Sequence, residues 1–147
     1  MESDMPKHRV YVDFDDVLCQ TAASFLDIVE REFGRRYAFE EIVHFDLEQS
    51  FHLKPHEYEH LMTLIHAPET LRHMKPMPGV LDVLKGWAQG GIETVVVTGR
   101  PPETKAVCHE WLQRYDLPCR QVLFVDKYGR IPGHQVGVEV ITPKDLT

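Results

Sequence analysis

Residues 92–98, Ile-Glu-Thr-Val-Val-Val-Thr, form an unbroken β-branched run, and helical periodicity stands on both sides of it. A strand of this kind is buried on both faces, as the strands of a parallel sheet are. Upstream, Val80, Leu81, Leu84, Trp87 and Ala88 share one helical face that begins after Pro78 and stops at Gly90-Gly91. Downstream, Pro101 and Pro102 open a second helix, with Val107, Trp111, Leu112 and Tyr115 on one face and a stop near Pro118. Residues 121–125 (QVLFV) and 135–141 (QVGVEVI) repeat the strand signal. A further run at 9–14 (RVYVDF) precedes them all, and its pattern also suits a strand covered on both faces. Strand and helix therefore alternate, which predicts the α/β class, a parallel sheet flanked by helices.

Between the first two strands the pattern changes. Residues 21–34 read as an amphipathic helix with Phe25, Ile28, Val29 and Phe33 on one face and Gly34 as its stop. Helical fragments follow among Pro55, Pro68, Pro76 and Pro78, with Phe39, Phe45, Phe51 and Tyr58 expected to pack them. The expected organisation is a core of residues 1–20 and 76–147 interrupted by a helical insert at 21–75, within the size of one ordinary domain. Composition supports folding: 43% hydrophobic and 27% charged residues are globular values. The net charge of −7 repels polyanions, so a nucleic-acid polymer is not an expected partner. No apolar run nears the roughly 18–20 residues that span a bilayer, and the first ten residues hold no signal region, which predicts a cytoplasmic protein without a membrane partner. Cys19, Cys108 and Cys119 are widely spaced with no CxxC, and read as small buried hydrophobes.

In an open parallel sheet, ligands bind beyond the carboxyl ends of the strands. Two polar motifs stand at that edge: Asp13-Phe14-Asp15-Asp16 after the first strand, and Thr98-Gly99-Arg100 after IETVVV. Three carboxylates within four residues repel one another unless a cation joins them. Oxygen-only donors favour Mg²⁺ or Ca²⁺, and a site completed by water and a substrate phosphate suits Mg²⁺. Residues two apart on an extended chain point the same way, so Asp13 and Asp15 can face one reacting group, one as nucleophile and the other as acid or base. The Thr98 hydroxyl and the Gly99 amide can donate to phosphoryl oxygens. Either motif alone is as well explained by a turn and a helix cap; both together, at the ends of two strands, are more specific.

The string VYVDFDDVL, a helical insert, and then MPGVLDVLKGWAQGGIETVVVTGRP resemble the haloacid dehalogenase-like phosphohydrolases, in particular their 5′-nucleotidase or deoxyribonucleotidase-like branch. The first motif of that family is matched by Asp13, Asp15 and Val17, and its second by Thr98. The resemblance spans about residues 9 to 127. It implies a Rossmann-like three-layer α/β/α core with a small helical cap, and a small phosphorylated substrate such as a nucleotide or sugar phosphate. Asp13 would attack phosphorus, Asp15 would protonate the leaving oxygen and then activate water, and the Asp13 carboxylate with the Asp15 main-chain carbonyl would ligate Mg²⁺. Thr98, Gly99 and Arg100 would bind the phosphoryl group. The lysine of the third motif is Lys144, placed after Pro143 at a helix start, or Lys127 after the QVLFV strand. The acidic pair of the fourth motif has no match, since neither Glu139 nor Asp145 has its setting. The chain is therefore expected to be a fragment of a longer product, or else a catalytically weak module that binds phosphate.

A rival pattern is His56-Glu57-Tyr58-Glu59-His60, which fits the His-Glu-x-x-His string of zinc hydrolases. Nine histidines in 147 residues make a chance match common enough that the string carries little weight, and its helix is polar throughout. A solvated helix is the expected reading.

Overall fold

The computed structural model describes residues 8–42, 46–126 and 140–141. The chain divides into two compact units, Met1–Cys19 with Lys75–Thr147, and Gln20–Met74. In the first unit β1 (His8–Asp13), β2 (Ile92–Thr98), β3 (Cys119–Val125) and β4 (Val140–Ile141) lie side by side in that order, every neighbouring pair parallel. Parallel neighbours need a long crossover, and helices supply two of them. Helix α5 (Val80–Gln89) packs against β2, and α6 (Lys105–Arg114) packs against β3. Thr94, Val95 and Val96 are all buried, and since successive residues of a strand face opposite ways, both faces of β2 are covered. Trp111 of α6 meets the ring of Phe14 edge-on at 5.2 Å between centroids, and both side chains are buried.

The strand at the start of the chain departs from expectation. Among the described residues β1 pairs with β2 alone, so it is an edge strand, and Tyr11 is 52% exposed where a strand covered on both faces was expected. Arg9 and Glu93, directly opposite in the register, close a 2.8 Å ion pair across β1 and β2. Of the expected fourth strand, 135–139 lies outside the described residues, and Val140–Ile141 pairs with Phe124 and Val125.

The second unit is helical, with α1 (Thr21–Phe33), α2 (Leu47–Ser50), α3 (Pro55–Ile65) and α4 (Pro68–His73). The Gly34 amide donates to the Glu30 carbonyl at 2.9 Å with φ at +66°, closing α1 in the left-handed conformation that glycine adopts without steric cost. Helix α3 packs against the other three, and Ile28, Val29, Phe51, Leu61, Ile65 and Leu71 are buried. Such side chains contribute about 1.5–3 kcal/mol each on burial. Of the four aromatics expected to pack this region, Phe51 is buried and Tyr58 half-buried, while Phe45 lies outside the described residues. Phe39, on a single 3₁₀ turn, is exposed. Among the described residues no helix is long and apolar enough to cross a membrane.

Candidate active site

Asp13 is the last residue of β1 and lies opposite Val97, so Thr98, the last residue of β2, stands one step further along the neighbouring strand. Neighbouring strands run about 4.8 Å apart, which brings both residues to one edge of the sheet. Asp13 is exposed, and its Oδ1 accepts the Phe14 amide at 2.7 Å. Among the described residues no cationic side chain is recorded against its carboxylate. After it the chain turns tightly. The Phe14 carbonyl accepts the amides of Leu18 and Cys19 at 3.0 and 3.2 Å, and the Asp16 amide donates to the Cys19 carbonyl at 2.8 Å. Asp16 itself has φ at +58°, a left-handed conformation that aspartate tolerates better than most residues.

This turn sets Asp15 against the loop that follows β2. The Arg100 guanidinium donates from Nη2 to Oδ1 of Asp15 at 2.7 Å, and from Nε to Oδ1 and Oδ2 at 3.1 and 3.2 Å. The arginine is 3% exposed, and the cation lies 5.8 Å from the centre of the Phe14 ring. A buried cation requires a paired anion, and Asp15 is that anion. The main-chain amide of Arg100 donates to Thr98 Oγ1 at 3.1 Å. Thr98 is buried, and its hydroxyl, having accepted that amide, keeps its own proton for an acceptor. Gly99 is exposed. Lys127 and Lys144, and with them Glu139 and Asp145, lie outside the described residues.

Two features of this edge were missed in the sequence. One is the Asp15–Arg100 pair, whose only signal was an acid two residues past one strand end and a base two residues past the next. The other is Asp126, half-buried directly after β3, two positions beyond Phe124, which pairs with Thr98. Its signal was an acid closing the apolar run QVLFV, passed over as the neighbour of Lys127.

Close by, the Cys108 thiol is buried and donates to Thr104 Oγ1 at 3.7 Å. Burial pushes it up to about 11, against the opposing pull of the Thr104 bond and the Arg100 cation. It is a neutral packing group. For a cation, the donors at this edge are hard oxygens, and among the acids of the first motif Asp13 and Asp16 are exposed. Among the described residues no group of three His, Cys, Asp or Glu side chains is arranged to hold a metal. Magnesium asks less, because one or two carboxylates with water and substrate phosphate complete its shell. The residues present fit it.

In the His56 to His60 string, Glu57 and His60 have partners within their own unit. Glu57 accepts the Lys54 amide at 2.9 Å at the start of α3 and pairs with Arg35 at 3.3 Å. Its carboxyl is held below the usual range, chiefly by that amide and further by Arg35, while burial opposes them. His60 Nε2 lies 2.9 Å from Glu32 and its ring meets Phe33 edge-on. The general base and one histidine of the pattern are thus engaged in tying α3 to its own unit.

The model of a protein family described as 5′ nucleotidase, deoxy (Pyrimidine), cytosolic type C protein matches residues 7–139. A candidate nucleotidase of Halalkalibacterium halodurans is 25% identical over 123 residues, 84% of this chain and 62% of that protein. The chain thus spans less than two thirds of the length of this curated relative. The crystal structure of a hydrolase from Streptococcus pneumoniae TIGR4 superposes with a TM-score of 0.52 at 16% identity, over 97% of this chain and 70% of that one, a likeness of fold.

Proposed function

We propose a function from one premise: this chain belongs to the 5′ nucleotidase, deoxy (pyrimidine), cytosolic type C family. That family is a branch of the haloacid dehalogenase-like hydrolases. The reaction is Mg²⁺-dependent hydrolysis of a small phosphate monoester in the cytoplasm. A nucleoside monophosphate is the substrate class that fits the family description and the relative's name. The observation that carries this reading is the pair of strand ends: an exposed Asp13 closing β1, and Thr98 closing β2 one residue beyond the register partner of Asp13.

An Asp13 oxygen attacks phosphorus while Asp15 gives a proton to the departing ester oxygen, leaving a phosphorylated Asp13 and a free alcohol. Water then attacks the phosphoryl group, Asp15 takes its proton, and inorganic phosphate leaves with Asp13 restored. The Thr98 hydroxyl and the Gly99 amide donate to phosphoryl oxygens, and the third-motif lysine, Lys144 or Lys127, would pair with the phosphate. The Asp13 carboxylate and the Asp15 main-chain carbonyl would hold Mg²⁺, which would supply charge neutralisation at the phosphoryl oxygens.

Phosphate release from a nucleoside monophosphate, with and without Mg²⁺, tests the reading. Release should require the metal, stop with a chelator and fall to background in Asp13→Asn. Release that Asp13→Asn leaves unchanged would reject the mechanism, and ester binding without release would make the chain a phosphate-binding module.

A further inference from the structure

We propose that Arg100 is a positioning residue for proton transfer, fixing the rotation of the Asp15 carboxylate that exchanges a proton with the ester oxygen and with water. The inference rests on the phosphohydrolase reading above. It gives Arg100 a different part from the phosphate contact that the motif implies.

The guanidinium grips the carboxylate through two donors. Oδ1 receives the 2.7 Å bond from Nη2 and the 3.1 Å bond from Nε, whereas Oδ2 receives the 3.2 Å bond from Nε. Two donors of one planar guanidinium on one carboxylate fix the rotation of that carboxylate. Exposure points the same way: the Arg100 side chain is 3% exposed and that of Asp15 is 31% exposed, so the guanidinium backs the carboxylate from the inside. Nη2 and Nε both donate to Asp15, which commits that edge of the guanidinium to the carboxylate.

Arg100 is also fixed on its other sides. Its cation lies over Phe14, and Phe14 is braced edge-on by Trp111. Its amide is bonded to Thr98 Oγ1. One residue therefore ties the proposed phosphate donor to the proposed acid and base, through its main chain on one side and its side chain on the other. Lysine would keep the charge but lose the planar fork that fixes the carboxylate's rotation.

Protonation matters in proportion to the basicity of the leaving oxygen. Breaking the P–O bond of a nucleoside 5′-monophosphate releases an alkoxide unless Asp15 delivers its proton. The p-nitrophenolate ion leaves without one. A defect in Asp15 positioning thus appears as a loss of selectivity between the two esters, which a general loss of folded protein cannot imitate, because both rates are read from one preparation.

The experiment measures kcat/KM, which covers steps up to departure of the leaving group, for both esters with the 147-residue chain and Mg²⁺. It compares wild type, Arg100→Lys, Asp15→Asn and the double variant. Arg100→Lys should lower the rate on the nucleoside monophosphate about 100-fold and on p-nitrophenyl phosphate less than about 10-fold, in keeping with the range for general acid–base catalysis. In the Asp15→Asn background, Arg100→Lys should leave the ratio of the two rates unchanged. Equal loss on both esters, or a further change of ratio without Asp15, would overturn the assignment. Should Arg100→Lys fail to fold, Arg100→Ala with added guanidinium ion takes its place, and recovery on the alkyl ester alone is the expected result; recovery equal on both esters, or none on either, would overturn the assignment. A wild-type chain that releases phosphate from neither ester rejects the underlying reading, whereas a wild type active on both with an unselective Arg100→Lys rejects the role of Arg100 alone.

Discussion

A single hydroxyl, that of Thr98, is committed in two directions. Its oxygen takes the Arg100 amide, and the proposed mechanism has its proton donated to a phosphoryl oxygen. Thr98→Val keeps the shape and removes the donor, and the expected cost is about 100-fold in kcat/KM, the size seen when one preorganised donor is lost. Thr98→Ser should retain most of the rate; equal loss in both variants would count against a donor role. The thiols make a separate prediction. Burial pushes Cys108 and Cys119 up to about 11 from an ordinary 9.0, so neither is a thiolate at neutral pH. Alkylation of the folded protein should be slow and should accelerate on unfolding, as mass spectrometry of the three cysteines would read. A raised thiol value stabilises the folded chain fully below about pH 9, and that contribution fades as pH rises towards about 11. Denaturant unfolding of wild type should therefore weaken over this interval, and Cys108→Ala should weaken less steeply; parallel curves would contradict the assignment.

Among the elements, the two glycines of helices α1 and α5 predict opposite outcomes. Gly34 closes α1 with φ at +66°, and although a Cβ there would meet no atom within 4 Å, the conformation itself is strained for any L side chain. Gly34→Ala should cost about 1 kcal/mol. Gly86 sits inside α5 with open space around an added Cβ and no positive φ, so Gly86→Ala should gain up to about 1 kcal/mol. Melting temperatures should move a few degrees down and up respectively, and a shared sign would contradict the helix assignments. Elements whose signals are local were legible from the residues: β2 spans the β-branched run 92–98, and α1 stops at the glycine that reads as its stop. The helix after Pro101 begins later than expected. A 3₁₀ turn at Pro102–Thr104 comes first and α6 starts at Lys105. Edge position was illegible at β1, since RVYVDF records what the residues prefer to touch and not how many neighbours the sheet provides.

At the scale of the whole molecule, strand order does the work of assembling the site. Asp13 and Thr98 are 85 residues apart, and the parallel pairing of β1 with β2 brings them to one edge. That much follows from two strand-end motifs in an alternating α/β pattern, and was legible. The union of Asp15 with Arg100 was not, because it depends on the turn at residues 14–19 and its left-handed Asp16, which side-chain chemistry alone does not dictate. Every role argued for this edge depends on Asp13 forming a bond to phosphorus. The direct measurement is to react the chain with a phosphate monoester and Mg²⁺, quench, reduce with borohydride, and sequence the peptides by mass spectrometry. An acyl phosphate at Asp13 is reduced to homoserine, so the account predicts homoserine at position 13, dependent on substrate and absent from Asp13→Asn. Turnover with an unmodified Asp13, or with homoserine at Asp15 or Asp126 instead, would contradict it.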